Sequence, residues 1–429
     1  MTKKNIPTVD ELRTIINNRP IYIWGARHEG YSTVQVFARL GIAVDAFIDS
    51  SYSLQGTTAF GLDIKLPKLF FSESVASNAF IVIASGFFAD EIATDCIEHG
   101  FSTGKDFIVY NELKQFNYQV DISGVCNLKC ISCPRGNFDQ HRPAGFMSAE
   151  VYKQVLDKIL IEDPYTGIIS LYNWGDPLLN KELPEIVEMT TARSVHSAIS
   201  TNLSFNIDFE KVIKAKPTWF RISNSGWGDN YEITHTGGNW ELFLSNLYKL
   251  KQYKEQHHPE MLVEVFFHIY SHNRDDYDKM QTLCDELGFT LRYRHAALAP
   301  LDNIEKIIDG VPLDAASMQT RELQFLKVEE VIPLAQAQKD RPCYYETHLW
   351  INWDLNVAQC MEWYRPDLNL VEGGFLNTPI DDLWDARENS QFCVKCKSKG
   401  IHRVYCVYGD EKLIHEKQSL PIVGDAAFS

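Results

Sequence analysis

The chain has 429 residues, 45% apolar and 23% charged, the make-up of a folded protein rather than a disordered or repetitive one. That length exceeds what one hydrophobic core usually spans, so two or three domains are expected. A net charge of -16 argues against nucleic-acid binding through phosphate neutralisation, and no apolar run reaches the roughly 18 residues of a membrane span. With no signal-peptide core after Met1 to Ile6, a cytoplasmic location is expected.

Residues 20–26 (PIYIWGA) read as a buried strand ending at Gly25, and helical periodicity follows from Tyr31 to Leu40. Strands over AVDAFIDS, ending near Asp49, over AFIVIAS (79–85) and over DFIVYN (106–111) alternate with helices, one of them running through Cys96 and Ile97. This alternation predicts a parallel sheet and a small Rossmann-like domain over residues 1–112. The turn Gly25-Ala-Arg-His-Glu-Gly30 is sparser than G-x-G-x-x-G. It would still present backbone N–H groups to a phosphate at a helix N-terminus, with Asp49 placed to accept a ribose hydroxyl. Gly25, Gly30 and Asp49 are therefore candidate nucleotide contacts; a ligand-free strand–helix turn explains the same residues. The stretch resembles the small Rossmann-like domains attached to sugar-modifying enzymes of surface-glycan pathways, some of which bind nucleotide-sugars.

From Phe116 the alternation restarts. NYQVDIS leads into a cysteine loop, Ser148 caps a helix to about Ile161, and TGIISLYNWG is the next strand. A helix from Leu183 to Ala192, HSAISTN, a helix near Phe209 to Ala215, WFRISNS, a helix over Asn239 to Gln256, VEVFFHIY, another helix and TLRYRHAA complete the run. The fold class is α/β, with a partial (β/α)6 TIM-like barrel over residues 113–300. Residues 301–340 read as a helical bridge, and 341–429 as a cysteine-rich domain and tail.

Eight of the ten cysteines fall in two groups, while Cys96 and Cys284 sit alone in helix-like segments as small buried hydrophobes. Cys126, Cys130 and Cys133 share one loop. Three thiolates can each bind one iron of a 4Fe-4S cubane, leaving the fourth iron without a protein ligand. Structural zinc needs four ligands, and His141 is the candidate fourth.

Cys126-Asn-Leu-Lys-Cys130-Ile-Ser-Cys133, directly after the first barrel strand, resembles the C-x3-C-x2-C signature of radical S-adenosylmethionine (radical SAM) enzymes, and the resemblance extends over residues 116 to about 300. It implies that the open iron chelates SAM, whose reductive cleavage gives a 5'-deoxyadenosyl radical, and that a flavodoxin- or ferredoxin-type donor supplies the electron. Ser132 stands where the family often has an aromatic residue. Asn173-Trp174-Gly175-Asp176-Pro177 looks like the family's Gly-Gly-Glu-type motif for the SAM amino group, with Asp176 for Glu and Trp174 for the first Gly. Ser200, Thr201 and Asn202 end the third strand, and Ser223 and Ser225 the fourth, where the family contacts SAM; each also has a plain reading as a strand terminator or cap.

Cys343, Cys360, Cys393 and Cys396 follow the order C-x16-C-x32-C-x2-C, with Cys406 nine residues beyond. A four-thiolate zinc ribbon fits that order as well. Arg341-Pro-Cys343, the hairpin-like WINWDLNVAQC (350–360) and the helix start Ile380-Asp-Asp-Leu-Trp384 resemble the SPASM/twitch extension of one radical SAM subfamily. The resemblance implies a twitch-type domain with one auxiliary 4Fe-4S cluster, Cys406 being a spare ligand or a nearby thiol. It further implies hydrogen abstraction from a hydroxyl-bearing carbon of a carbohydrate-like small molecule. Dehydrogenation is one outcome; epimerisation is the other and needs a donor thiol, for which Cys406 is the candidate. Maturation of a ribosomal peptide is the alternative function.

Overall fold

The computed structural model describes residues 6–73, 78–85, 88–137 and 143–409. The chain divides into two compact units, one formed by the residues up to Asn117 together with 156–168 and 192–196, the other by the remainder.

The first unit is built on a six-stranded sheet of β1 (Ile21–Trp24), β2 (Ala46–Ile48), β3 (Thr58–Ala59), β4 (Leu62–Lys65), β5 (Phe80–Ile83) and β6 (Phe107–Val109), in the order β3-β4-β2-β1-β5-β6. Every pairing is parallel except that of β3 with β4. All four residues of β1 and of β5 are buried, as central parallel strands covered on both faces require. The expected Rossmann-like alternation is therefore present, joined by three elements absent from the sequence reading: the β3–β4 hairpin and the helices Val9–Ile16 and Pro67–Ser72.

The second sheet has nine strands. Its first six, β7 (Asn117–Asp121), β8 (Ile168–Ser170), β9 (His196–Thr201), β10 (Trp219–Asn224), β11 (Leu262–Ile269) and β12 (Thr290–His295), lie side by side in chain order, the order of a partial (β/α)6 barrel. Beyond β7 the sheet continues through β13 (His348–Asn352), β14 (Val357–Ala358) and β15 (Asn369–Val371), paired antiparallel among themselves. The hairpin read over 350–360 thus covers the edge of the first barrel strand, which would otherwise present unpaired backbone groups.

Strand β10 alternates strictly, and its two faces continue across β11 and β12. Phe220, Ile222, Val263, Val265 and Leu291 are buried on one face, while Arg221, Ser223, Phe266, His268, Arg292 and Arg294 share the half-buried opposite face. On that polar face Glu264 accepts an ion pair from Arg292 at 2.5 Å. Helices Leu301–Ile308, Ala315–Leu323 and Val328–Ala337 occupy the stretch read as a bridge. Helix Gln391–Ser398 carries Cys393 and Cys396, three residues apart and hence on one face.

Candidate active site

β7 ends at Asp121, and the chain turns into the cysteine loop through Gly124, whose N–H donates to the Gly145 carbonyl at 2.8 Å. The loop is tied down by N–H bonds from Lys129 and Ile131 to the carbonyls of Thr236 and Thr234. Cys126, Cys130 and Cys133 are half-buried and close enough that each charged neighbour would raise the next. Burial pushes the Cys126 thiol up to about 12, with Asp176 adding to it, and holds Cys130 well above the usual thiol range and Cys133 above it. Backbone N–H groups point the other way: those of Leu128 and Asn127 at Cys126, and those of Arg135 and Gly136 at Cys133. Ser132 is hydrogen-bonded to the hydroxyl of Tyr270, which follows β11 and lies beside Cys130 and Cys133. An aromatic ring therefore reaches the loop from another strand.

Asp176 sits after β8 with 3% of its surface exposed. Its carboxylate accepts from Leu178 N–H at 3.1 Å, Thr201 Oγ1 at 2.8 Å, Asn202 N–H at 2.9 Å and Asn202 Nδ2 at 2.8 Å. Burial raises its pKa to about 6 despite these bonds. The carboxylate is thus fully engaged in joining the ends of β8 and β9, and Asn202 Nδ2 in turn lies 2.9 Å from Asn127 Oδ1 and 3.7 Å from Cys126 Sγ. Thr201 and Asn202 are drawn into the same network. Gly175 is required by packing, since a Cβ there would lie 1.5 Å from the Ser123 carbonyl oxygen. Ser200 and Ser223 share the polar barrel face with Arg221, whereas Ser225 offers its carbonyl to Asn273 Nδ2 at 2.8 Å.

A cleft at this end of the barrel is lined by Asp121, Gly124, Arg135, Pro143, Trp174, Gly175, Asn352, Trp353, Asp354 and Tyr364. Trp353, from the β13–β14 turn, lies so close to Gly124 and Gly145 that a Cβ on either would meet its ring at about 2.5 Å. Its indole donates to the Pro143 carbonyl at 3.1 Å. Trp174 stacks edge-on against Tyr364, with ring centroids 5.9 Å apart, and donates to the Met361 carbonyl at 3.1 Å. Arg135 Nη1 donates to the Tyr364 hydroxyl at 3.4 Å. Of these residues the sequence reading assigned a function only to Gly175. Arg135, two residues past Cys133, was the most accessible of the missed ones.

A second cavity is lined by Cys343, Cys360, Cys393 and Cys396 together with Glu346, Arg387 and Lys397, among others. The four thiols expected to share a site therefore do face one space. Burial pushes Cys343 and Cys396 up to about 12 and Cys360 well above the usual range. Gln359 Nε2 donates to Cys393 Sγ at 3.2 Å, and the N–H groups of Tyr345 and Glu362 point at Cys343 and Cys360. Cys406 lines neither this cavity nor the cleft; Arg403, Arg294 and Glu362 surround it. Trp174 bridges the two spaces: it lines the cleft and packs in one apolar group with Met361, Trp350, Tyr345 and Cys360.

Residues 120–278, which hold the cysteine loop and four of the strands that follow it, match the sequence model of the Radical SAM superfamily. That stretch is a Radical SAM domain. A 73-residue stretch is 33% identical to the S-adenosyl-L-methionine-dependent 2-deoxy-scyllo-inosamine dehydrogenase of Niallia circulans, covering 17% of this chain and 28% of that protein. Among solved structures, BtrN in complex with AdoMet and 2-DOIA aligns over 68% of this chain and 89% of its own, at 19% identity and a TM-score of 0.40. Native anSMEcpe with bound AdoMet aligns over 71% and 100%, at 15% identity and a TM-score of 0.45. Streptococcus suis SuiB aligns over 74% and 83%, at 12% identity and a TM-score of 0.45.

The superfamily's cofactors are SAM and a 4Fe-4S cluster, and the donor set suits the cluster. Thiols pushed this high ionise only against a metal, and the N–H groups aimed at Cys126 and Cys133 suit sulfurs that carry negative charge. Among the described residues no three His, Cys, Asp or Glu side chains gather closely enough to hold a metal ion. A single zinc draws its sulfurs to about 2.3 Å from one centre, whereas a cubane places each sulfur on a different iron. His141, the candidate fourth zinc ligand, lies outside the described residues. No helix among the described residues is long and apolar enough to cross a membrane.

Proposed function

We propose that this radical SAM enzyme removes a hydrogen atom from a hydroxyl-bearing carbon of a carbohydrate-like small molecule and oxidises it, as a twitch-type member with a second 4Fe-4S cluster on Cys343, Cys360, Cys393 and Cys396. The observation that carries this reading is the composition of the cleft. Two carboxylates, a guanidinium and an amide (Asp121, Asp354, Arg135, Asn352) face the same space as two indoles and a phenol (Trp174, Trp353, Tyr364). Carboxylates and amides accept from and donate to hydroxyls, while aromatic faces cover the apolar C–H side of a ring. The similarity to a dehydrogenase named for 2-deoxy-scyllo-inosamine supports the same substrate class.

The bound cluster and SAM supply the hydrogen-abstracting radical. Within the chain, Cys126, Cys130 and Cys133 hold the cluster, and Asp176 fixes Thr201 and Asn202 beside it. Gly175 leaves room at the strand end, and Ser200, Ser223 and Ser225 are the proposed SAM contacts of β9 and β10. Trp174 and Trp353 wall the cleft against water. Dehydrogenation is favoured over epimerisation because the similar protein is a dehydrogenase. No step is assigned to Gly25, Gly30 or Asp49.

The test is anaerobic incubation of the reduced holoenzyme with SAM and 2-deoxy-scyllo-inosamine or related polyols. The reading expects 5'-deoxyadenosine and ketone in equal amounts. Turnover that appears only with a precursor peptide would establish the maturase alternative instead.

A further inference from the structure

Trp353, in the turn between β13 and β14, is seated on two glycines. Ser123 and Phe146 form an isolated antiparallel bridge, and beside it Gly124 N–H donates to the Gly145 carbonyl at 2.8 Å, so the two glycines stand opposite one another. Residues directly opposed in an antiparallel pair project to the same side. A Cβ on Gly124 would meet Nε1 and Cδ1 of the indole at 2.5 and 2.6 Å, and one on Gly145 would meet Cη2, Cζ2 and Cζ3 at about 2.5 Å. The indole therefore lies along a floor made by both glycines, its five-membered end over one and its six-membered end over the other. The N–H bond to the Pro143 carbonyl fixes the rotation of the ring in that seat.

This seat sets Trp353 apart from the other aromatic residues of the cleft. Trp174 and Tyr364 meet edge-on, and Trp174 also packs with Met361 and Trp350. Among the described residues no aromatic ring or cation stacks on Trp353. Its neighbours in sequence, Asn352 and Asp354, line the same cleft, so a flat apolar surface is flanked by an amide and a carboxylate.

A saturated ring rests on an indole through the C–H bonds that project from one of its faces. An axial hydroxyl on that face holds the ring away and meets a surface that offers it no hydrogen bond, so it loses water without compensation. We propose that Trp353 is the stacking platform for the substrate ring and selects cyclic polyols whose stacked face carries only hydrogen at its axial positions. The inference rests on the carbohydrate-like reading of the cleft and narrows it to a stereochemical class. Trp353 is thus a specificity-determining residue, and Gly124 and Gly145 are positioning residues that act through it.

The experiment measures ketone formation by the reduced, anaerobically reconstituted full chain with SAM and each of three cyclitols. Two of these, 2-deoxy-scyllo-inosamine and scyllo-inositol, have only equatorial substituents; chiro-inositol carries an axial hydroxyl on either face. The unaltered protein is expected to prefer scyllo-inositol to chiro-inositol in kcat/KM. Trp353→Ala is expected to raise KM for 2-deoxy-scyllo-inosamine roughly tenfold, near the upper limit of one aromatic contact, with a smaller change in kcat, and to narrow that preference. Trp353→Phe keeps a flat face and should retain most of both. Gly145→Ala tests the seat: the three atoms nearest its added methyl all belong to Trp353 and its backbone is not left-handed, so the indole is what must move. It is expected to reproduce the Trp353→Ala defect and to add little to it in the double variant. An unchanged KM in Trp353→Ala, chiro-inositol used as well as scyllo-inositol by the unaltered protein, or a Gly145→Ala defect of full size with Trp353 already absent overturns the proposal. Ketone from none of the three also overturns it, whereas the substrate reading beneath it falls only if no polyol reacts.

Discussion

The turn from Gly25 to Gly30 and the loop from Cys126 to Cys133 both follow the first strand of their sheets, and both carry the residues that sequence alone marks for ligands. In the turn every marked residue has a part in the fold. Gly25 has φ +118° and a Cβ there would lie 2.4 Å from the Ala84 carbonyl oxygen; one on Gly30 would lie 1.8 Å from the Gly25 carbonyl oxygen. Asp49 spends one oxygen on the N–H of Ala26 and the other on that of Ser51, each at 2.8 Å. In the cysteine loop burial pushes the three half-buried thiols up, and their ionisation calls for a positive partner such as a metal. Asp176, whose carboxylate accepts four hydrogen bonds, also takes part in the fold while lying beside the cysteines.

The largest expected effect separates the two regions outright. Replacing Cys126, Cys130 and Cys133 together by Ala abolishes 5'-deoxyadenosine formation and leaves the second cluster's iron in place, as metal analysis and chromatography of the reaction would show. Next comes Asp176. An acid raised from 3.8 to about 6 by folding keeps its proton in the native state where the unfolded chain has lost it, so stability falls as pH rises between those values. For a fully buried group the loss is roughly 3 kcal/mol. Melting curves of the apo-protein across pH 4 to 7 should show this decline, and Asp176→Asn should flatten it. An identical slope in the variant would remove Asp176 from the account. Gly25→Ala is expected to destabilise the first unit by about 1–3 kcal/mol, the usual range for overpacking, with 5'-deoxyadenosine formation per folded molecule unchanged. The smallest effect is none at all: a nucleotide-sugar such as UDP-glucose should leave the melting temperature unmoved. A ligand at a hundredfold excess over its Kd would stabilise by about 2.7 kcal/mol, and a rise of that size would make the turn a binding site after all.

The barrel was legible because its strands are apolar runs spaced by helices with clear ends. Asn239 caps Trp240–His257 by accepting from Leu242 N–H, and Leu183–Ala192 begins and ends where its pattern does. The β3–β4 hairpin was not, since strands of two and four residues give almost no period. The helix Val9–Ile16 was within reach: Thr8 and Glu11 form a capping box that the sequence displays. At the sites the cysteine spacings stood out in the sequence, and the four cysteines of the second group line one cavity. Arg387, Trp353 and Tyr364 were not, because each reaches its site from a distant segment through packing that no local pattern records.

The central claim is that both cysteine sets hold iron. The most direct measurement is iron, zinc and sulfide content of the anaerobically reconstituted chain, with Mössbauer spectra to assign the iron. The account predicts about eight irons as two 4Fe-4S clusters, retained in Cys406→Ala because that thiol stands outside the cavity. About four irons with one tightly bound zinc would contradict it, making the second cavity a structural zinc site.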